Sequence, residues 1–280
     1  MNYRELAPTS ALQGLVRCYW TLEGDAHSEP EPIFPDGSPE LVFHCGAPFA
    51  RLAADASWQR QPRSFLAGQL TRPIQLQPAR AAGVLGVRFH PWGAFPFLGF
   101  AQREGADCCI ATGDLWGRAG RELEQRVLEA GSTGERVFAI ERFLLGLLGQ
   151  RESNPAVRAA VSAIFAGSGM VSLDQLTRAG GRGGRQLERL FAREVGVGPK
   201  MLARIVRFQR ALRVYREEGA WIFAAIEAGY CDQPHLVRDF RQFAGAPPAA
   251  SAAREYALAR HFLLGHDGFF QDKAAAARVS

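Results

Sequence analysis

Polar side chains able to contact DNA bases cluster at the start of a stretch with helical spacing, residues 185–195. Arg185, Glu188 and Arg189 lie at i, i+3 and i+4, so a helix would place them on one face. Gln186 stands beside them, and apolar residues would occupy the opposite face: Leu187, Leu190, Phe191 and Val195. A guanidinium can donate two hydrogen bonds to guanine, and a carboxylate can accept one from cytosine. The pattern predicts a helix that contacts bases in the major groove.

Residues 233–243 repeat this arrangement. The spacing Leu-x-Arg-x-Phe occurs in both stretches, at 187–191 and at 236–240. Asp232 suits the N-cap of the second helix. The predicted outward residues of this helix are Gln233, Pro234, His235 and Arg238.

Each of these helices follows another predicted helix and a glycine-containing turn. The preceding helices are predicted over 173–179 and 221–228, and the turns over 180–184 and 229–233. A helix, a turn and a second helix form the unit whose second helix can enter the major groove. One such unit is a weak signal, because many helical hairpins look alike. Two in tandem are a strong signal for binding to duplex DNA.

A long helix predicted over 199–216 joins the two units. Pro199 is a favoured first-turn residue, and apolar residues recur along one side of the stretch. We interpret the arginines of this helix mostly as surface charge: Arg204, Arg207, Arg210 and Arg213.

Four residues in the N-terminal half are candidates for binding a small-molecule effector. Phe34 and Trp92 offer aromatic surface, and His44 offers a polar atom. Arg88 could pair with an anionic carboxylate of the effector. The alternatives stay open, because aromatic residues in a β-rich domain are usually core and Arg88 could form a structural ion pair.

His44, Cys45 and His90 would suit a cupin-type metal site if the fold brought them together. The sequence has no His-x-His pair with a downstream Glu and no CxxC pair. Two ordinary half-buried histidines are the alternative, and we predict no metal and no cofactor. No G-x-S-x-G motif or phosphate-loop lysine stands out, so we expect no enzyme activity.

Composition places the chain among globular proteins. Its 280 residues are 47% hydrophobic, which is long and apolar enough for two cores. No run of about 18 apolar residues occurs, so we expect no membrane span. The N-terminus lacks a secretion signal, and five cysteines without a framework spacing fit reduced thiols. These features predict a cytoplasmic protein.

Positive charge is concentrated in one segment. Residues 151–260 carry 17 Arg and Lys against 10 Asp and Glu, whereas residues 1–150 carry 14 against 16. A basic segment attached to a neutral one is typical of a polyanion-binding domain beside a partner domain, although many basic segments are only solvated helix faces.

The elements predict an α+β protein in four parts. Residues 1–113 are β-rich, with a Pro-Asp-Gly turn at 35–37, and form the predicted effector domain. Residues 114–152 are helical and are either a linker or dimerisation segment or a pair of helices packed on the sheet. Residues 153–258 form the all-α double helix-turn-helix domain, and 259–280 a loosely ordered tail.

Residues 156–256 resemble the DNA-binding domain of AraC/XylS-type transcription regulators, chiefly at 229–245 and 185–191. The resemblance implies seven helices, with two recognition helices in successive major-groove segments. It also implies base contacts from Arg185, Glu188, Arg189, Pro234, His235 and Arg238. The family usually has serine or a similar cap where Gly183 stands, and a small polar residue in place of Pro234.

The N-terminal half is similar, more loosely, to a sensor domain that precedes this module in some family members. Residues 33–37, 65–68 and 86–94 carry the similarity, which implies effector binding or dimerisation. We therefore predict a transcription regulator that binds double-stranded DNA and a small-molecule effector. RNA polymerase and a second copy of the chain are further candidate partners.

Two alternatives to the regulator remain. One is a cupin-like metal-dependent enzyme with a helical targeting domain. The other is an adaptor whose first helix-turn-helix no longer reads bases.

Overall fold

The computed structural model describes residues 1–25, 29–149 and 151–252. The α+β prediction is confirmed, because strands fill the N-terminal part of these ranges and helices the C-terminal part. The strands are β1 (Asn2–Leu6), β2 (Val16–Asp25), β3 (Glu31–Ile33), β4 (Glu40–His44), β5 (Ala50–Leu52), β6 (Trp58–Arg60), β7 (Ser64–Ala67), β8 (Ile74–Gln77), β9 (Ala81–Phe89) and β10 (Cys109–Ala111). The helices are α1 (Thr112–Glu129), α2 (Thr133–Leu147), α3 (Pro155–Ala166), α4 (Leu173–Gly180), α5 (Gly184–Glu194), α6 (Pro199–Glu218), α7 (Trp221–Glu227), α8 (Gln233–Phe243) and α9 (Pro248–Ala252).

The strands form two antiparallel sheets. A six-stranded sheet has the order β1-β2-β9-β4-β7-β10, and a four-stranded sheet has the order β3-β8-β5-β6. Successive side chains of a strand point to opposite faces. In β2, Trp20 and Leu22 pack toward the four-stranded sheet, whereas Tyr19 packs on the other side. The six-stranded sheet is therefore a central layer with an apolar core on each face.

Helices α1 and α2 cover the outer face of the six-stranded sheet. Leu123 and Val127 of α1, with Ile140 and Leu144 of α2, are fully buried in one cluster with side chains of β4 and β9. For residues 114–152 the sequence left open a linker or dimerisation segment or a pair of helices packed on the sheet, and in the structure the two helices pack on the sheet. A role in dimerisation stays a prediction.

Helices α3 to α8 contain the two predicted helix-turn-helix units, α4–α5 and α7–α8, joined by α6. The predicted limits agree with the observed ones to within about two residues. The Ser172 side chain and Gln175 form a capping box at the start of α4. Asp232 caps α8, since its Oδ1 accepts a hydrogen bond of 2.7 Å from the His235 N–H. Gly183 precedes α5 without a side-chain capping bond.

The two halves of the chain contact each other. Phe34, from the segment after β3, packs in the cluster of Phe208, with the two rings edge to face at 6.0 Å. Beside it, the Gln209 side-chain amide donates a hydrogen bond of 2.5 Å to the Pro35 carbonyl. The Gln102 amide likewise donates to the Glu194 carbonyl at the end of α5. The helical region is thus docked on the β-rich region at two separate places.

None of the helices in the described ranges combines the length and hydropathy that crossing a bilayer requires. The predicted loosely ordered tail, 259–280, lies outside the described residues, as does the end of the predicted 153–258 domain.

Candidate nucleic-acid interface and internal cavity

The first half of α5 presents polar side chains to solvent. Its apolar side is buried against α3 and α6, and its far end is held by Gln102. The predicted base-contacting residues are therefore on a surface that the rest of the described molecule leaves uncovered. All four are exposed: Arg185, Gln186, Glu188 and Arg189.

The carboxylate of Glu188 lies close to Gly198, at the start of α6. A Cβ built on Gly198 would lie 2.6 Å from Glu188 Oε2, so the carboxylate rests against the turn that begins α6. The partial positive charge of a helix N-terminus attracts a carboxylate to such a place. Glu188 would have to leave this position to accept a hydrogen bond from cytosine, and we expect the two arginines to dominate the contact.

The outer face of α8 is similar but smaller. Gln233, Pro234 and Arg238 are exposed. His235 is half-buried, with its ring edge to face on Tyr230 at 5.1 Å. Burial and the neighbouring Arg207 guanidinium lower the pKa of His235, so its ring is neutral at neutral pH. A neutral imidazole offers one donor and one acceptor to a base edge.

Arg204 is not the surface charge that the sequence predicts. Its Nε and Nη2 donate hydrogen bonds of 3.0 and 2.7 Å to Asp239 Oδ1, and Nη2 also donates to Gln242 Oε1 at 2.6 Å. The Tyr230 hydroxyl donates to Asp239 Oδ2 at 3.2 Å. Asp239 is only 1% exposed. These bonds fasten α8 to α6 and fix the direction of the outer face of α8.

A cavity of about 90 Å³ lies between the two sheets. One water molecule needs about 10–15 Å³, so the cavity has room for a small organic molecule. Most of its wall is apolar, contributed by both sheets and by the segment after β3. The residues that line it include Trp20, Leu22, Ile33, Phe34, Val42, Phe49, Phe65, Ile74, Leu76 and Val84.

The structure brings together only two of the four candidate effector residues. Phe34 and His44 line the cavity. Trp92 does not line the cavity, because it follows the end of β9 and packs against side chains of the helices. Its Nε1 donates a hydrogen bond of 3.1 Å to the carbonyl of Gly14, which precedes β2. Arg88 is fully buried behind the wall, with Nε 2.7 Å from Glu40 Oε1 and 3.9 Å from Asp36 Oδ2. For Arg88, the ion-pair alternative is the one the structure has.

The cavity contains a buried histidine. His44 is 1% exposed, and its Nε2 lies 3.3 Å from Gln61 Oε1. Burial lowers the pKa of His44 to about 4, so the ring is neutral at pH 7. Within the described residues, Nδ1 has no hydrogen-bond partner. The ring therefore keeps one polar atom available to a ligand.

The sequence analysis does not identify the polar residues that line the cavity: Asp36, Ser38, Glu40 and Gln61. For Asp36, the sequence indicates only a Pro-Asp-Gly turn. No local signal identifies the other three, because distant strands and turns bring them together.

Within the described ranges, no group of three or more His, Cys, Asp and Glu residues is placed to hold a metal ion. His44 and His90 lie in different surroundings. His90 stacks on Trp92 at 5.1 Å, and its Nε2 lies 3.2 Å from the Gln13 carbonyl oxygen. The cupin-like alternative thus gains no ligand set from the described residues.

Comparison with protein families assigns the helical region. Residues 176–254 match a family model described as a helix-turn-helix domain, which spans both units. This is an AraC-type helix-turn-helix domain. Domains of this type bind DNA in transcription regulators. Residues 4–111, which hold the strands, match a domain of unknown function.

Comparison with solved structures gives matches of low identity and low TM-score. ToxT from Vibrio cholerae is 9% identical, with a TM-score of 0.47 over 84% of this chain and 98% of that one. A ToxT structure with a bound unsaturated fatty acid is 8% identical, with a TM-score of 0.42 over 83% and 93%. The AraC-like transcriptional activator CuxR is 15% identical, with a TM-score of 0.25 over 81% and 91%. No curated protein gives a significant match.

Proposed function

We propose that this protein is a sequence-specific regulator of transcription that binds duplex DNA through α5 and α8 and responds to a small molecule in its N-terminal half. The observation that carries the proposal is the pair of helix-turn-helix units whose second helices both expose arginine. Arg189 and Arg238 occupy the same place in the two repeats, and both are exposed. Arginine suits this role because its planar fork matches guanine and phosphate.

The internal cavity supports control by an effector. Phe34 lines the cavity and also packs on Phe208 of α6, the helix that joins the two DNA-binding units. A ligand that displaces the Phe34 ring would therefore change the packing beneath α8. Such a ligand shifts DNA affinity only as far as it binds the two arrangements differently.

The test of DNA binding is selection of duplexes from a random pool by the full chain, followed by affinity measurement on the enriched site. We expect an enriched motif with two half-sites about one helical turn apart. Arg189→Ala and Arg238→Ala should each relax specificity at one half-site and weaken binding about tenfold or more. Arg118→Ala removes an exposed arginine of α1 and serves as the control for net charge.

A pool that yields no enriched motif, with no binding at about 50 mM salt, would refute the proposal. If Arg238→Ala bound as wild type while Arg189→Ala did not, only the first unit would read bases. If Arg189→Ala bound as wild type while Arg238→Ala did not, the result would favour an adaptor whose first unit no longer reads bases.

A second copy of the chain and RNA polymerase are the protein partners we propose. For the second copy, Phe138 and Leu145 on the outer side of α2 are 66% and 40% exposed. A second copy packed on this side of α2 would cover both side chains and remove their apolar surface from water. Sedimentation of the wild type and Phe138→Glu tests this, since a dimer through α2 should dissociate in the variant.

A further inference from the structure

The cavity between the sheets has an apolar, largely aromatic wall. Trp20, Phe34, Phe49 and Phe65 all line it. Aromatic faces attract cations through the negative charge of the ring face, and the attraction is stronger away from water. The wall therefore suits the apolar body of a ligand and also tolerates a positive charge.

The polar end of the cavity is dominated by hydrogen-bond acceptors. Asp36 and Glu40 line it, and their side chains are 17% and 14% exposed. His44 Nδ1 has no partner among the described residues, and it is a third acceptor in the tautomer whose Nε2–H donates to Gln61 Oε1. The Ser38 hydroxyl and the Gln61 amide can donate hydrogen bonds, but neither carries a positive charge.

The charged side chains that line this end, Asp36 and Glu40, are both carboxylates. Among the residues that the structure describes, no lysine or arginine lines the cavity. Arg88 lies behind Asp36 and Glu40, and its single charge is set against both carboxylates. Farther out, Glu5 adds a carboxylate 3.9 Å from Arg88, and the Arg17 guanidinium also lies near Arg88. The Arg63 guanidinium lies near His44 as well, so these outer groups are of mixed sign, and the two charged side chains that line the cavity itself are carboxylates.

We propose that this cavity binds a small primary ammonium ion with an apolar body. Its N–H groups would donate to Asp36, Glu40 and His44 Nδ1, and its apolar part would lie against the aromatic wall. A carboxylate of the same size would meet acceptors and negative charge, which makes its burial costly. The ligand class rests on the proposed role of the N-terminal half as a sensor.

Three ligands with one ring and different heads test the charge preference. Benzylammonium, benzyl alcohol and benzoate are titrated separately into the full chain at pH 7.5, and binding is followed by calorimetry. We expect benzylammonium to bind at least about tenfold more tightly than benzoate, with benzyl alcohol between them. Benzoate binding as tightly as benzylammonium, or the absence of binding by all three, overturns the proposal.

Asp36→Asn tests the location of the site. Asparagine keeps a side-chain oxygen for the Ser38 N–H, which donates to Asp36 Oδ1 at 2.9 Å, but it removes the charge. We expect the affinity for benzylammonium to fall about tenfold and that for benzyl alcohol to change less than about twofold. Asp55→Asn, in the exposed turn between β5 and β6, is the matched control and should bind as wild type. Equal affinity of Asp36→Asn and wild type for benzylammonium contradicts the assignment.

Ala67→Leu is a second variant, for use if Asp36→Asn fails to fold. Ala67 lines the cavity, so the larger side chain should abolish binding of both benzylammonium and benzyl alcohol. Unchanged binding would place the ligand elsewhere.

DNA selection is run in parallel with the ligand titrations. Loss of the ammonium preference with DNA binding intact defeats only this inference, whereas ammonium binding without an enriched DNA motif defeats only the proposed function.

Discussion

Arg204 and Arg210 lie on the same helix, α6, yet their partners differ in burial. Arg204 pairs with Asp239, which is 1% exposed, and Arg210 lies 3.6 Å from Glu227, whose side chain is 60% exposed. Removing the partner of a buried charge leaves that charge uncompensated, whereas an exposed pair contributes little. The surroundings of each pair, rather than the arginine itself, decide what it contributes to stability.

We therefore expect Arg204→Ala to lower the free energy of unfolding by about 3 kcal/mol, and Arg210→Ala by less than about 1 kcal/mol. Urea denaturation of the two variants and wild type at pH 7 measures both values. Arg204→Ala should also weaken DNA binding, because α8 loses the hydrogen bonds that Asp239 and Gln242 accept from α6. Equal and small losses in the two variants would show that Asp239 is not held as the structure has it.

His44 gives the protein a defined dependence on pH. Its pKa is lowered to about 4 in the folded chain, against an ordinary value of about 6.5 in the unfolded chain. Between these values the unfolded state binds a proton that the folded state does not. The contribution of His44 to stability is therefore full above about pH 6.5 and is lost as the pH falls toward 4.

His44→Gln should remove this dependence. Between pH 7.5 and pH 5, we expect wild type to lose about 2 kcal/mol more unfolding free energy than the variant. Burial raises the pKa of Glu40 to about 6, which acts in the opposite direction, but this effect is common to both proteins and cancels in the difference. Parallel stability curves for the two proteins would show that His44 does not carry the effect.

At this scale, helical spacing predicts which way a side chain points but not what it meets there. Arg189 and Arg238 are exposed as predicted, because the apolar residues around them fix the buried side of each helix. The sequence pattern does not reveal the ion pair of Arg204, because the partner, Asp239, belongs to another helix, 35 residues away. Likewise, nothing local in the sequence shows that Trp92 packs on the helices and not beside Phe34 and His44.

The glycine-rich turn between α4 and α5 contains two glycines with opposite requirements. Gly181 has a φ of +59°, a left-handed conformation that ends α4 and that favours glycine. Gly183 has a φ of −64° and a ψ of 153°, which serine adopts without strain, and a Cβ there would meet open space. Only one of the two positions therefore needs glycine for its backbone.

Gly183→Ser should stabilise the protein by about 0.5–1 kcal/mol, through a capping bond to α5 and a less flexible unfolded chain. Gly181→Ser is the same change two residues away, and it should destabilise by about 1 kcal/mol. Thermal and urea unfolding of the pair checks both signs. A destabilised Gly183→Ser would mean that the turn must flex for reasons unrelated to capping.

Helices are the elements that the sequence predicts best. Ser172 and Asp232 are N-caps as expected, because capping depends on residues a few positions apart. The strands were located, but the arrangement of two sheets around a cavity was not. Pairings such as β2 with β9 join residues some 60 positions apart, and nothing local in either strand specifies its partner.

The whole molecule has the contacts needed for one half to affect the other. Phe34 belongs both to the cavity wall and to the cluster of Phe208, Phe240 and Phe243 beneath α8. Trp92 and Gln102 form a second contact, near α5. Helices α5 and α8 are therefore each packed, through their inner sides, against a region that the N-terminal half touches. Sequence patterns within either half do not predict this docking.

Comparing Phe34→Ala with Phe49→Ala distinguishes the loss of a contact between the two halves of the chain from the loss of apolar packing in the core. Both rings line the cavity and are similarly buried, at 6% and 4% exposed, so each truncation should cost about 3 kcal/mol. Only Phe34 touches the helical cluster. We expect hydrogen exchange of the amides around Phe208 in α6 to rise about tenfold in Phe34→Ala relative to Phe49→Ala. Exchange in β2 and β9 serves as the internal reference. If α6 exchanged equally fast in both variants, the Phe34 contact would not connect the halves, and a ligand would have to act through Gln102 and the end of α5.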